Sequence, residues 1–162
     1  MKKISFDRLL SGFVVIGWMI VIFLFSAQPA EVSSQTSGGI VSQIVELVYP
    51  SFGTIPEPEQ TAILDMWQTV VRKCAHFCAY ALLSLLVANA TRTYNIQKCG
   101  RFLIPVAVSA LYAVSDEIHQ YFVPGRSCQF LDVCIDTAGA AFGTAVFALG
   151  VFLIAKWRRK SI

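Results

Sequence analysis

Ser115-Asp116-Glu117-Ile118-His119-Gln120-Tyr121-Phe122-Val123-Pro124-Gly125-Arg126 closes an apolar run that begins at Phe102, and how it is read decides the fold. The run is long enough to cross a bilayer, which takes about 20 mainly apolar residues. Its last turns nevertheless carry two adjacent acids and a histidine. An ionised side chain at the centre of a membrane helix costs about 2.5–3.5 kcal/mol on insertion scales, so such residues usually mark a working site. Two neighbouring carboxyl groups inside an apolar helix have no packing rationale. A functional or charge-pairing role is therefore expected for Asp116 and Glu117, with Arg126 and Lys73 as their natural partners. Pro124-Gly125 is a turn signal that ends the span and brings Arg126 back over its outer end.

The rest of the chain has the same solvent. Of its 162 residues, 56% are hydrophobic and 14% charged, against roughly 25% charged in an ordinary soluble domain. Mean hydropathy is +0.62. Spans are expected at about 9–27, 74–91, 102–123 and 133–155. This predicts an all-α membrane protein, a four-transmembrane-helix bundle forming one unit over 1–162. The partner is the lipid bilayer. A formal charge of +3 argues against nucleic acid.

Ten of the 13 Lys and Arg residues fall on one side of the alternating spans. Lys2, Lys3 and Arg8 precede the first span; Arg92, Lys98 and Arg101 lie between the second and third. Lys156, Arg158, Arg159 and Lys160 follow the fourth. By the positive-inside rule both termini are cytoplasmic. Arg72, Lys73 and Arg126 are left on the outer side. A basic end before an apolar core also resembles a signal peptide, but no small-x-small site follows Leu9–Ala27 cleanly, so an uncleaved anchor is expected.

An outer segment, Gln28 to Arg72, separates the first two spans. Ile40, Val41, Ile44, Leu47 and Val48 fall at helical spacing, with Ser42, Gln43 and Glu46 opposite. This predicts an outer amphipathic helical segment lying in the headgroup region. A second helical stretch begins near Pro58 and continues through Trp67 into the second span.

Polar residues of three spans gather at one depth. Lys73, His76 and Tyr80 share a face of the second span, and Tyr112, Asp116 and Gln120 share a face of the third. Glu117 and His119 flank that face, and Asp132 and Asp136 open the fourth. At a rise of about 1.5 Å per residue, all sit within roughly the outer third of the membrane. One polar pocket open to the outside is predicted. The competing readings are structural: Arg72 and Lys73 snorkel, His76 packs, and Asp132 and Asp136 cap a helix. Gly139 and Gly143 form a G-x-x-x-G step for close helix approach.

The five cysteines form no CxxC pair, so neither structural zinc nor a disulfide framework is expected. Cys128 and Cys134 are read as small apolar filling. No spacing demands a metal at His76, His119 and the carboxylates, and no cofactor is expected.

Four pieces together resemble the VanZ-like family of bacterial membrane proteins. They are Phe25-Ser26-Ala27-Gln28-Pro29, Arg72-Lys73-Cys74-Ala75-His76-Phe77-Cys78-Ala79-Tyr80, the 115–126 stretch quoted above, and Asp132-Val133-Cys134-Ile135-Asp136-Thr137-Ala138-Gly139-Ala140. Asp136 stands where relatives commonly carry Asn. The resemblance implies a multi-pass protein of the bacterial cytoplasmic membrane, in a family named for an accessory protein of low-level teicoplanin resistance. It also brings Ser26, Gln28 and Ser115 into the candidate site.

Three functional classes follow. The first is an outward-facing site for an anionic, lipid-linked envelope component or a glycopeptide. There Lys73, His76 and Arg126 hold phosphate, and Asp116, Glu117 and His76 move protons. Tyr80, Ser115, Gln120, Asp132, Asp136, Ser26 and Gln28 complete the binding set. The second is a non-catalytic envelope-modifying partner in which the ion pairs are fasteners. The third is a small transporter, against which the inner halves of the spans are nearly free of polar groups, so no route through the membrane is visible.

Overall fold

Inside a bilayer every backbone polar group has to be satisfied within the protein, which forces long apolar stretches into helices. The computed structural model describes residues 6–92 and 94–160, and among them there is no strand. Five helices follow one another: α1 (Phe6–Ser26), α2 (Ala30–Val48), α3 (Glu57–Thr91), α4 (Lys98–Gln120) and α5 (Phe130–Lys160), with a 3-10 turn at Phe52–Thr54. Four of them (α1, α3, α4 and α5) are long and apolar enough to cross a membrane. Large apolar side chains such as Leu111 and Phe152 stay exposed on the outside of the bundle, as a lipid-facing surface requires.

One boundary agrees with the sequence and one differs. As expected, α3 begins beside Pro58, at Glu57, and runs unbroken into its span, because Pro58 stands in the first turn, where its missing N–H costs no bond. α4 stops at Gln120, short of residue 123. There the chain tightens: Phe122 N–H donates to His119 O at 3.0 Å and Val123 N–H to Gln120 O at 2.9 Å. Those turn residues are apolar, so hydropathy does not register the break.

The core of the bundle lies where α1, α3 and α4 meet, around Ile22, Tyr80, Leu83, Val87 and Ala113. Two long-range bonds lock it. The Trp18 indole N–H donates to Ala79 O at 2.9 Å, and Tyr112 hydroxyl donates to Met19 O at 2.7 Å.

The most extensive interface joins α3 and α5. A Cβ at Gly139 would collide with the Phe77 carbonyl, and one at Gly143 with the Ala81 carbonyl. The G-x-x-x-G step therefore admits α3, and the two helices run in the same direction. At the far end, the Arg8 guanidinium lies 4.7 Å from the Tyr94 ring centroid, tying the start of α1 to the α3–α4 connection. Lys2 and Lys3 fall outside the described residues.

α3 is 35 residues long, about 52 Å at 1.5 Å per residue, well beyond a hydrocarbon core of about 30 Å. Because Lys73 of α3 meets Asp132 in the first turn of α5, the excess length of α3 runs past the start of α5. α2 packs on this extension. Val41 and Val45 are buried there, whereas Ile40, Leu47 and Val48 remain exposed. Gln68 of α3 also donates to the Ser37 hydroxyl of α2.

Candidate functional site

The register of α3 against α5 assembles the polar end of the bundle. Lys73 forms an ion pair with Asp132. One turn further, His76 Nδ1 lies 3.5 Å from Asp136 Oδ2. The 121–129 connection closes over these pairs. Its turn needs Gly125, whose φ is +73°. A Cβ there would also meet Ala30 Cβ at 3.1 Å. Ala30 N–H donates to Pro124 O at 3.2 Å, and Arg126 Nε donates to Gln28 O at 3.2 Å. The start of α2 thus holds the loop that carries Arg126.

The result is a polar cleft of about 170 Å³, whose lining includes Lys73, His76, Gln120, Arg126, Asp132 and Asp136. Asp116 and Glu117 stand behind its wall, 3% and 2% exposed. Each is tied to a glutamine of the lining. Gln120 Nε2 donates to Asp116 Oδ2 at 3.1 Å, and the Gln129 backbone N–H donates to Glu117 Oε2 at 2.9 Å. Lys73 therefore pairs with Asp132 rather than with Asp116 or Glu117, because α5 starts beside it whereas the 116–117 pair faces the interior. Tyr80 is fully buried beneath the cleft, its ring centroid 6.2 Å from that of Tyr112.

Other candidates lie elsewhere. Ser26 and Gln28 line a neighbouring apolar groove rather than the cleft. Ser115 is exposed and donates to Tyr112 O at 2.7 Å, away from the cluster. His119 stacks on Phe23, with ring centroids 4.6 Å apart. Among the described residues no set of three or more His, Cys, Asp or Glu is grouped to hold a metal ion. All five cysteines are unpaired and exposed, so Cys128 and Cys134 are surface groups and not core filling.

Sequence reasoning passed over Arg72, Thr69, Ser127 and Gln129, which also line the cleft. Thr69, Arg72 and His76 are spaced i, i+3, i+7 on one helix face, a signal that was available. Burial, and then the like charge of Arg72, push the Arg126 guanidinium below its usual pKa; an arginine stays protonated all the same. The cleft carries both signs: Asp132 and Asp136 line it beside Lys73 and His76, while Arg72, His76 and Arg126 stand where it meets the groove.

Four long apolar helices around a cluster of buried charge define a multi-pass membrane protein. The VanZ/LLP1 family matches residues 12–154, most of the chain, and the protein belongs to that family. No curated protein and no solved structure matches it.

Proposed function

We propose that this chain is an integral protein of the bacterial cytoplasmic membrane whose cleft, facing away from the cytoplasm, binds the anionic head group of a lipid-linked envelope component. The observation that carries this reading is the convergence of Arg72, Lys73 and Arg126 with His76 on one small cleft at an end of the bundle. Guanidinium groups suit phosphate through paired donors, and the ammonium adds a point charge. The orientation rests on the basic residues at the opposite helix ends, which the positive-inside rule assigns to the cytoplasm.

His76 carries a second, catalytic reading. It lines the cleft with Asp136 Oδ2 3.5 Å from Nδ1, and an imidazole beside a carboxylate suits proton transfer. Asp116 and Glu117 act in this reading through Gln120 and Gln129, as positioning residues. The family's name extends the proposal to a contribution to teicoplanin resistance.

Thermal unfolding in a phosphate-free maltoside detergent tests the binding reading. Ligand at a hundred times its Kd stabilises by about 2.7 kcal/mol, so glycerol 3-phosphate and phosphatidylglycerol should raise Tm and diacylglycerol should not. The gain should disappear in Arg126→Gln. Equal stabilisation by the neutral lipid, or an undiminished gain in the variant, would overturn the proposal. Turnover of the bound lipid by wild type but not by His76→Gln would establish the catalytic form.

A further inference from the structure

An apolar groove of about 530 Å³ opens between α1, α2 and α3, and it meets the polar cleft at Arg72, His76 and Arg126. Its deep part is lined by Trp18, Val21, Ile22, Ala79 and Leu82, and its mouth by Ser33, Ser37 and Gln28. From Val71 to Leu82 the groove follows α3 for about 16 Å, close to half of a hydrocarbon core of about 30 Å. Arg72 and Arg126 stand together at the junction, and among the described residues neither forms a close ion pair with a carboxylate, although Asp116 and Glu117 lie near enough to act on Arg126 through their charge. A concave apolar channel one leaflet deep, ending at two guanidiniums and then at a small polar cleft, has the chemical order of an amphiphile: chain, phosphate, polar tip.

We infer that the groove holds a hydrocarbon chain of a phospholipid or polyprenyl phosphate, with the phosphate between Arg72 and Arg126 and the rest of the head group in the cleft. The inference rests on the head-group reading above and adds to it the class of lipid and the seat of its chain. An anion between the arginines balances their charge, and the Ser33 hydroxyl at the mouth supplies a further donor. Within the cleft the partly exposed carboxylate of Asp132 accepts from a hydroxyl- or amine-bearing tip. A cleft of about 170 Å³ is below the roughly 300–1,000 Å³ of ordinary small-molecule pockets, so the tip is small.

A phosphatidate carrying a photoreactive diazirine near the end of one acyl chain tests this on the unaltered protein in maltoside micelles, with labelled peptides mapped by mass spectrometry. Labelling should concentrate on the deep part of the groove, on α1 near Trp18–Ile22 and on α3 near Ala79–Leu82. Excess unlabelled phosphatidate or polyprenyl phosphate should suppress it, the better competitor identifying the source, and diacylglycerol should not. Ala75→Phe and Ile40→Trp, which narrow the groove from two different helices, should each cut groove labelling by about tenfold. The Tm gain from glycerol 3-phosphate should survive in both. Labelling spread evenly over lipid-facing residues such as Phe142 and Phe152, with that gain intact, would overturn the groove assignment and leave the head-group reading standing. Equal competition by diacylglycerol would overturn the role of the arginines. Failure of both glycerol 3-phosphate and phosphatidate to raise Tm would sink the head-group reading, and this inference with it.

Discussion

α3 has two faces that pack in opposite ways. Towards α5 the contact is backbone to backbone, with Gly139 and Gly143 seated against the carbonyls of Phe77 and Ala81. Towards α1 and α2 the same helix leaves a groove of about 530 Å³, bridged by the Trp18 indole bond to Ala79. The tight face sets the register that brings Lys73 to Asp132 and His76 to Asp136. The open face leaves space beside the same residues. A membrane bundle without a hydrophobic driving force between its helices depends on such close packing, so the two faces should respond very differently to substitution.

The largest effect belongs to the tight face. Gly143→Leu should cost about 3 kcal/mol or prevent folding, since overpacking here meets a helix backbone that cannot yield; thermal unfolding and membrane abundance report it. Trp18→Phe keeps an aromatic ring but removes the N–H donor and the second ring, and should lower stability by about 1 kcal/mol or more while leaving the Tm gain from glycerol 3-phosphate intact. Gly17→Ala makes the sharpest contrast with Gly143. Nothing lies within 4 Å of a Cβ at Gly17, so this change should stabilise α1 by up to about 1 kcal/mol through helix propensity. The smallest effect is expected for Ser115→Ala, within about 0.5 kcal/mol and without change in lipid-induced stabilisation. A lost response in that variant would show that the VanZ-like motif marks more than the cleft does.

The four spans were legible because hydropathy and helical spacing act over long windows. The end of α4 was not, since Tyr121, Phe122 and Val123 are apolar yet sit in a turn. Spacing placed Lys73 with His76, and Asp132 with Asp136, on common faces. It did not reveal which acid Lys73 meets, because that depends on helix register, and register depends on two glycines that carry no charge. Arg72 looked like a snorkelling residue for the same reason: its surroundings come from α2 and the 121–129 loop, distant in sequence. The groove had no local signal at all. It arises because α1 and α2 each pack on α3 far more than on each other. Ser115 shows the reverse limit, since a position within a recognisable motif points out of the cluster.

The most direct test is to extract and quantify by mass spectrometry the lipid that accompanies the purified protein in maltoside. The wild-type chain should retain a stoichiometric phosphate-bearing lipid. The Arg72→Gln, Arg126→Gln double variant, equally abundant and folded, should retain about tenfold less, equivalent to about 1.4 kcal/mol of binding. Equal retention by both proteins, or wild-type protein carrying only neutral lipid, would contradict the assignment of this cleft to an anionic head group.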